Sequence, residues 1–159
     1  MAIAKTPHLL ANTKCRVLDS SPPPFAILFA MAAVFSFQAY VYGTDRGAFD
    51  VSMETVAERF EHLEGLFFEW DGSFTWANQS QGWQIDGTVY DNGQAIQYVD
   101  LHGRGSTLEG RKILLERLQA LFSTFSEPES ISLMRLPERA WQDLQAFEKD
   151  VFQTASVDQ

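Results

Sequence analysis

The chain has 159 residues, a formal net charge of −9, and 45% hydrophobic and 13% aromatic residues. That is enough apolar material for one packed domain, and it excludes a globally disordered protein. The acidic balance repels phosphate backbones, so nucleic acid is not an expected partner and a basic protein partner is favoured.

Residues 1–24 form a basic leader and a proline-rich spacer. Lys5, Lys14 and Arg16 stand against Asp19, and Ser20-Ser21-Pro22-Pro23-Pro24 cannot continue a helix. The single cysteine, Cys15, lies in this leader, so no disulfide or cysteine metal site is expected beyond it. The uncharged run Phe25–Tyr42 follows. Its length sits at the lower limit for a membrane-spanning helix, about 18 residues. Residues 25–43 are therefore expected to be a transmembrane or signal segment.

Three alternatives attach to it. A signal anchor would leave the leader in the cytoplasm and the acidic domain outside. A cleaved signal peptide would end near Val41-Tyr42-Gly43. A misassigned start, with Met31 or Met53 as the true initiator, would shorten or remove the run. A start at Met53 would leave a cytoplasmic protein. Membrane anchoring with the domain outside the cytoplasm is the expected localisation.

Residues 44–50 read as a polar linker, residues 51–154 as a single α+β domain, and 155–159 as a tail. Ser52 is a fitting N-cap for a helix whose stripe is Val56, Phe60, Leu63 and Phe67. Phe67–Trp70 and Ser73–Trp76 flank Asp71-Gly72, which predicts a two-residue hairpin with Trp70 opposite Ser73 and Phe67 opposite Trp76. Trp83–Tyr90 and Gln94–Leu101 form a second hairpin around Asp91-Asn92-Gly93. Alternation places Trp83, Ile85, Val89, Ala95, Val99 and Leu101 on the core face. Gln84, Asp86, Thr88, Tyr90, Gln94, Ile96, Tyr98 and Asp100 face the other way.

Gly103 and Gly105 are expected to break that strand. A helix over Thr107–Phe122 carries Leu108, Leu115, Leu118, Phe122 and Phe125 on its apolar side, and Gly110 weakens it. Ile131–Leu136 predicts a fifth strand. Pro137 predicts the start of a last helix that buries Trp141, Leu144, Phe147 and Val151. The expected order is α-β-β-β-β-α-β-α, an antiparallel meander of four to five strands with helices packed on one face.

No nucleophile elbow, Walker motif, dinucleotide fingerprint or HExxH zinc motif occurs, so enzymatic activity is not the favoured reading and no cofactor or metal is expected. His62 follows Glu58 at helical spacing, which reads as a solvated face before a metal or acid–base pair. Two groupings stand out. Asp86, Tyr90, Tyr98 and Asp100 share the polar sheet face, and aromatic rings among carboxylates suit a basic, partly apolar protein partner. His102 and Arg104, in a glycine-flanked loop, give the alternative of a domain that binds an anion or small molecule there, or of an enzyme working around that loop. The leading expectation is a non-enzymatic protein-interaction domain, tethered to a membrane through residues 25–42. A purely structural domain is the remaining alternative.

Overall fold

The structure, a computed structural model, describes residues 35–153 of the chain. It is a mixed α+β fold: a seven-stranded, wholly antiparallel sheet with three helices on one face. The strands are β1 (Phe35–Tyr42), β2 (Leu66–Phe68), β3 (Ser73–Asn78), β4 (Trp83–Asp91), β5 (Ile96–Gly105), β6 (Ser132–Leu136) and β7 (Ala140–Asp143). They lie in the order β2-β3-β4-β5-β1-β6-β7. The helices are α1 (Met53–Phe60), α2 (Leu108–Phe122) and α3 (Leu144–Glu148), the last continuing as a π-turn over Lys149–Gln153.

The sheet has two strands more than the sequence predicts, and both were hidden for identifiable reasons. The first is β1. Residues 35–42 of the expected membrane or signal helix are a strand at the centre of the sheet, bonded to β5 on one side and β6 on the other. Phe37, Ala39 and Val41 face the core, whereas Ser36, Gln38, Tyr40 and Tyr42 face outward. Its outward positions, Ser36, Gln38, Tyr40 and Tyr42, carry no charge, so the period-two alternation is masked within a longer uncharged run. Residues 25–34 lie outside the described residues, as do the leader and the tail. Among the described residues no helix is long and apolar enough to cross a membrane.

The second hidden strand is β7. Pro137 does not start a helix; it sits in the turn joining β6 to β7, where Arg139 adopts a left-handed φ of 57°. Trp141 consequently lies opposite Met134 on a strand, not in a helical stripe. The helix begins only at Leu144, where the Asp143 carboxylate accepts the Ala146 N–H at 2.7 Å. Phe147 and Val151 are buried as that helix's apolar side requires.

Three further expectations change for local reasons. The β2–β3 connection pairs Phe67 with Thr75 and Phe68 with Phe74, and the Glu69 N–H donates to the Ser73 carbonyl at 2.8 Å. The loop is therefore Trp70-Asp71-Gly72, one residue longer than expected, which shifts the register and leaves Trp70 97% exposed. Gly72 takes φ +92°, and a Cβ there would lie 2.4 Å from the Val89 carbonyl oxygen, so only glycine fits. In β5, the register steps from Tyr90 opposite Tyr98 to Asp91 opposite Ile96, a bulge at Gln97. The extra residue turns Ile96 into the core instead of outward.

Lastly, β5 does not break at its glycines but runs on through Gly105. Gly103 is where Phe37 crosses the sheet face: a Cβ would lie 2.3 Å from that ring. The absent side chain is a packing requirement, not a turn signal.

The core forms between this face and the helices. Val56 and Phe60 of α1 pack with Phe74, and Leu114, Leu118, Leu121 and Phe122 of α2 with the centre of the sheet. Leu108, expected inside, is 70% exposed, because the buried stripe of α2 begins a turn later. Gly110 lets the start of α2 close on the β3–β4 loop, where a Cβ would meet the Gly82 carbonyl oxygen at 2.2 Å.

Candidate functional site

The three helices cover one side of the sheet, so alternation leaves the other side facing away from the core. Pairing registers place its residues in rows across the strands. The first row is Tyr90 on β4, Tyr98 on β5 and Tyr42 on β1, continued toward β6 by Ser132. The second is Ser73, Thr88, Asp100, Tyr40, Met134 and Trp141. The third is Phe67, Thr75, Asp86, His102, Gln38 and Leu136. The fourth is Ala77, Gln84, Arg104 and Ser36. Glu69, opposite Ser73, extends the second row to the β2 edge; none of the other positions is Lys or Glu, and all four tyrosines of the chain are among them.

One end of the face is aromatic. Tyr90 stacks on Tyr98 with ring centres 4.7 Å apart and 17° between planes, and Tyr98 stacks on Tyr42 at 5.7 Å and 26°. Tyr40 meets Tyr98 edge-on at 5.6 Å, and Tyr42 contacts Trp141 at 5.2 Å. The Arg46 guanidinium lies 4.5 Å above the Trp141 ring. It is carried there by a short turn, Thr44–Arg46, in which Asp45 and Arg46 both hold left-handed φ values. Crowding raises the pKa of Tyr98, first through loss of solvent and then through repulsion from Tyr90, Tyr40, Tyr42 and Asp100. The Tyr42 pKa is raised too, first by loss of solvent and then by Tyr40.

The other end is polar and internally bonded. His102 Nε2 lies 3.3 Å from Asp100 Oδ1, and Gln38 donates to the same oxygen at 3.2 Å. Asp86, directly opposite His102, accepts from Thr75 at 2.9 Å and from Gln84 at 2.7 Å. Arg104 donates to Gln84 Oε1 at 2.6 Å. Ser36, Gln38, Asp86, His102, Arg104, Leu136 and Pro137 surround an open depression of about 560 Å³.

All six residues singled out from sequence thus lie on one face: Asp86, Tyr90, Tyr98, Asp100, His102 and Arg104. The two groupings expected to be separate merge: His102 and Arg104 sit on a strand and not in a loop, beside Asp86 and Asp100, while Tyr90 and Tyr98 lie at the aromatic end. Sequence reasoning missed Tyr40, Tyr42, Met134, Trp141 and Arg46. The signal for the first two was present: Ser36, Gln38, Tyr40 and Tyr42 alternate with Phe37, Ala39 and Val41 at period two.

His62 is exposed, and its Nδ1 contacts the Glu58 backbone carbonyl at 2.9 Å, not the carboxylate. Among the described residues no three His, Cys, Asp or Glu side chains are grouped to hold a metal ion.

At the turn leading into β3, Asp71 is held below the usual carboxylate range, chiefly by the Ser73 hydroxyl and then by the Ser73 N–H.

Comparison of the chain with protein-family models, with curated proteins and with solved structures returned no match.

Proposed function

We propose that the protein is a non-enzymatic interaction domain that docks a protein partner on the outer face of its sheet. The observation that carries this reading is the face's composition. It gathers every tyrosine of the chain with Trp141, Met134 and Leu136, and away from Glu69 at its β2 edge it holds neither Lys nor Glu, although the domain as a whole is strongly acidic. Aromatic enrichment with loss of Lys and Glu distinguishes an interface core from ordinary surface. Tyr and Trp also supply large contact area at low entropic cost.

The test is a photo-cross-linking residue placed in the full chain in its host cell, at Met134 on the outer face and at Glu61 beside α1. A discrete adduct from Met134 and none from Glu61 is expected. Equal labelling from both positions, or none from either, overturns the reading.

A second reading has its own observation, the depression lined by His102, Arg104 and Asp86. There the protein would bind a small anion through Arg104 and His102. Titration with inorganic phosphate, followed by the His102 ring resonances, tests it. The resonances should move in the parent chain and stay fixed in Arg104→Ala; no movement in either counts against it.

Membrane attachment is a separate question. With residues 35–42 committed to β1, the apolar run that remains before them spans 25–34, about half of what a spanning helix needs. Fractionation of the full chain tests attachment by its recovery in membrane or supernatant.

A further inference from the structure

The tyrosine row does not end in neutral surface at either side. Beyond Tyr90, the Val89 N–H donates to the Gly72 carbonyl at 2.8 Å, which fixes the β2–β3 turn beside the row. That turn carries the 97% exposed Trp70, and its neighbours in sequence, Glu69 and Asp71, are exposed carboxylates that accept from the Ser73 hydroxyl. Beyond Tyr42, the row reaches Trp141. A depression of about 420 Å³ adjoins it, lined by Asp45, Glu129 and Asp143 together with Arg46. Each end therefore offers one tryptophan with two or more carboxylates, and ring contacts run unbroken from Tyr90 through Tyr98 and Tyr42 to Trp141.

This is the arrangement that receives cations with flat faces. A guanidinium stacks on an indole or phenol while its N–H groups reach neighbouring carboxylates, which an ammonium does less well. The protein already holds one guanidinium over an indole, Arg46 on Trp141.

From this we infer that the tyrosine row and its two acidic ends bind an extended, arginine-bearing segment of a partner protein, lying across the strands. The inference rests on the interaction reading above. Five strand spacings separate β3 from β7, about 24 Å, which an extended chain covers in about seven residues. A second copy of this chain would bring like-charged ends together, and an anionic lipid surface would meet the same repulsion.

The probe is a fluorescein-labelled octapeptide alternating arginine and valine, titrated into the full-length protein and read by anisotropy. Peptides with lysine or glutamate in place of arginine, and a tetrapeptide too short to span the row, serve as comparisons. The arginine octapeptide should bind best, and added salt should weaken it. Trp70→Ala and Trp141→Ala change no charge, yet each should weaken it about fivefold to thirtyfold. Arg46→Ala, which uncovers Trp141 and removes a like charge, should tighten it. Asp45→Asn with Glu129→Gln should weaken it more than Glu58→Gln with Glu61→Gln on α1, across the molecule.

Equal effects of the two carboxylate pairs, or no effect of either tryptophan, would mean charge attraction alone and would overturn the inference. The Met134 cross-link separates this failure from that of the interaction reading. An adduct with a second copy, or through a segment without arginine, overturns the arginine segment and leaves the docking face standing. No adduct removes both. An adduct through an arginine-bearing segment supports both.

Discussion

At the scale of single residues, the tryptophans show how little side-chain type says about role. Trp70 and Trp76 lie on one hairpin, yet Trp70 is 97% exposed and Trp76 only 2%. The Trp76 indole N–H donates to the Glu64 carbonyl at 3.0 Å, and its ring meets Trp83 edge-on in the core. Trp76→Ala should therefore cost about 3–5 kcal/mol by chemical denaturation, as large aromatic truncations in cores do. Trp70→Ala should stay within about 0.5 kcal/mol, because no packing is lost. Gly103→Ala belongs with the first kind: its methyl would collide with Phe37, and overpacking of this sort costs about 1–3 kcal/mol.

The stacked tyrosines add a pH dependence. The folded-state pKa values of Tyr98 and Tyr42 are raised above the ordinary 10.0. The folded state thus holds protons that the unfolded chain releases. Stability contributed by these groups is complete below pH 10 and falls as pH rises through their raised values. Thermal melts between about pH 8 and 11 should show the decline, and Tyr98→Phe should flatten it. A decline of unchanged slope in that variant would place its origin elsewhere.

At the scale of elements, β1 matters most. It is bonded to β5 through seven Cα pairs and to β6 through five, so its removal divides the sheet into two parts. A chain that starts at Met53 should show no cooperative unfolding transition. A chain that starts at Met31 keeps every strand among the described residues and should melt like the parent. Circular dichroism of the two truncations checks this; a folded Met53 product would contradict the sheet order. The short α1 gives a smaller test, since the Ser52 hydroxyl caps it by accepting the Thr55 N–H at 3.2 Å. Ser52→Ala should cost about 1 kcal/mol, within the usual range for N-caps.

At the scale of the whole molecule, the two sides of the sheet divide the work. One side is the core, with three helices on it; the other gathers aromatic and hydrogen-bonding side chains from strands far apart in sequence. Substitution of Tyr98 by Glu should leave the unfolding midpoint within a few degrees while abolishing the Met134 adduct, because the change puts charge on the docking face and not in the core. Loss of the adduct together with collapse of the fold would assign Tyr98 to stability instead.

What was readable from the amino-acid sequence was local. Alternation in β4 and β5 assigned faces correctly to Asp86, Tyr90, Tyr98 and Asp100, and the cap of α1 stands at Ser52 as expected. Side-chain period, capping chemistry and turn glycines act over a few residues, so a few residues suffice to reveal them. The sequence by itself therefore determined the α+β class, the central hairpin and half of the outer face. That Phe35–Tyr42 is a strand was settled by long-range pairing, because an uncharged octad inside a longer apolar run can lie in lipid or in a sheet until β5 and β6 supply its hydrogen bonds. The same holds for Tyr42 and Trp141, residues 99 positions apart that meet only because β1 and β7 flank β6. A surface assembled by strand order has no signature in the chain, since the order is set by long-range pairing and not by neighbours.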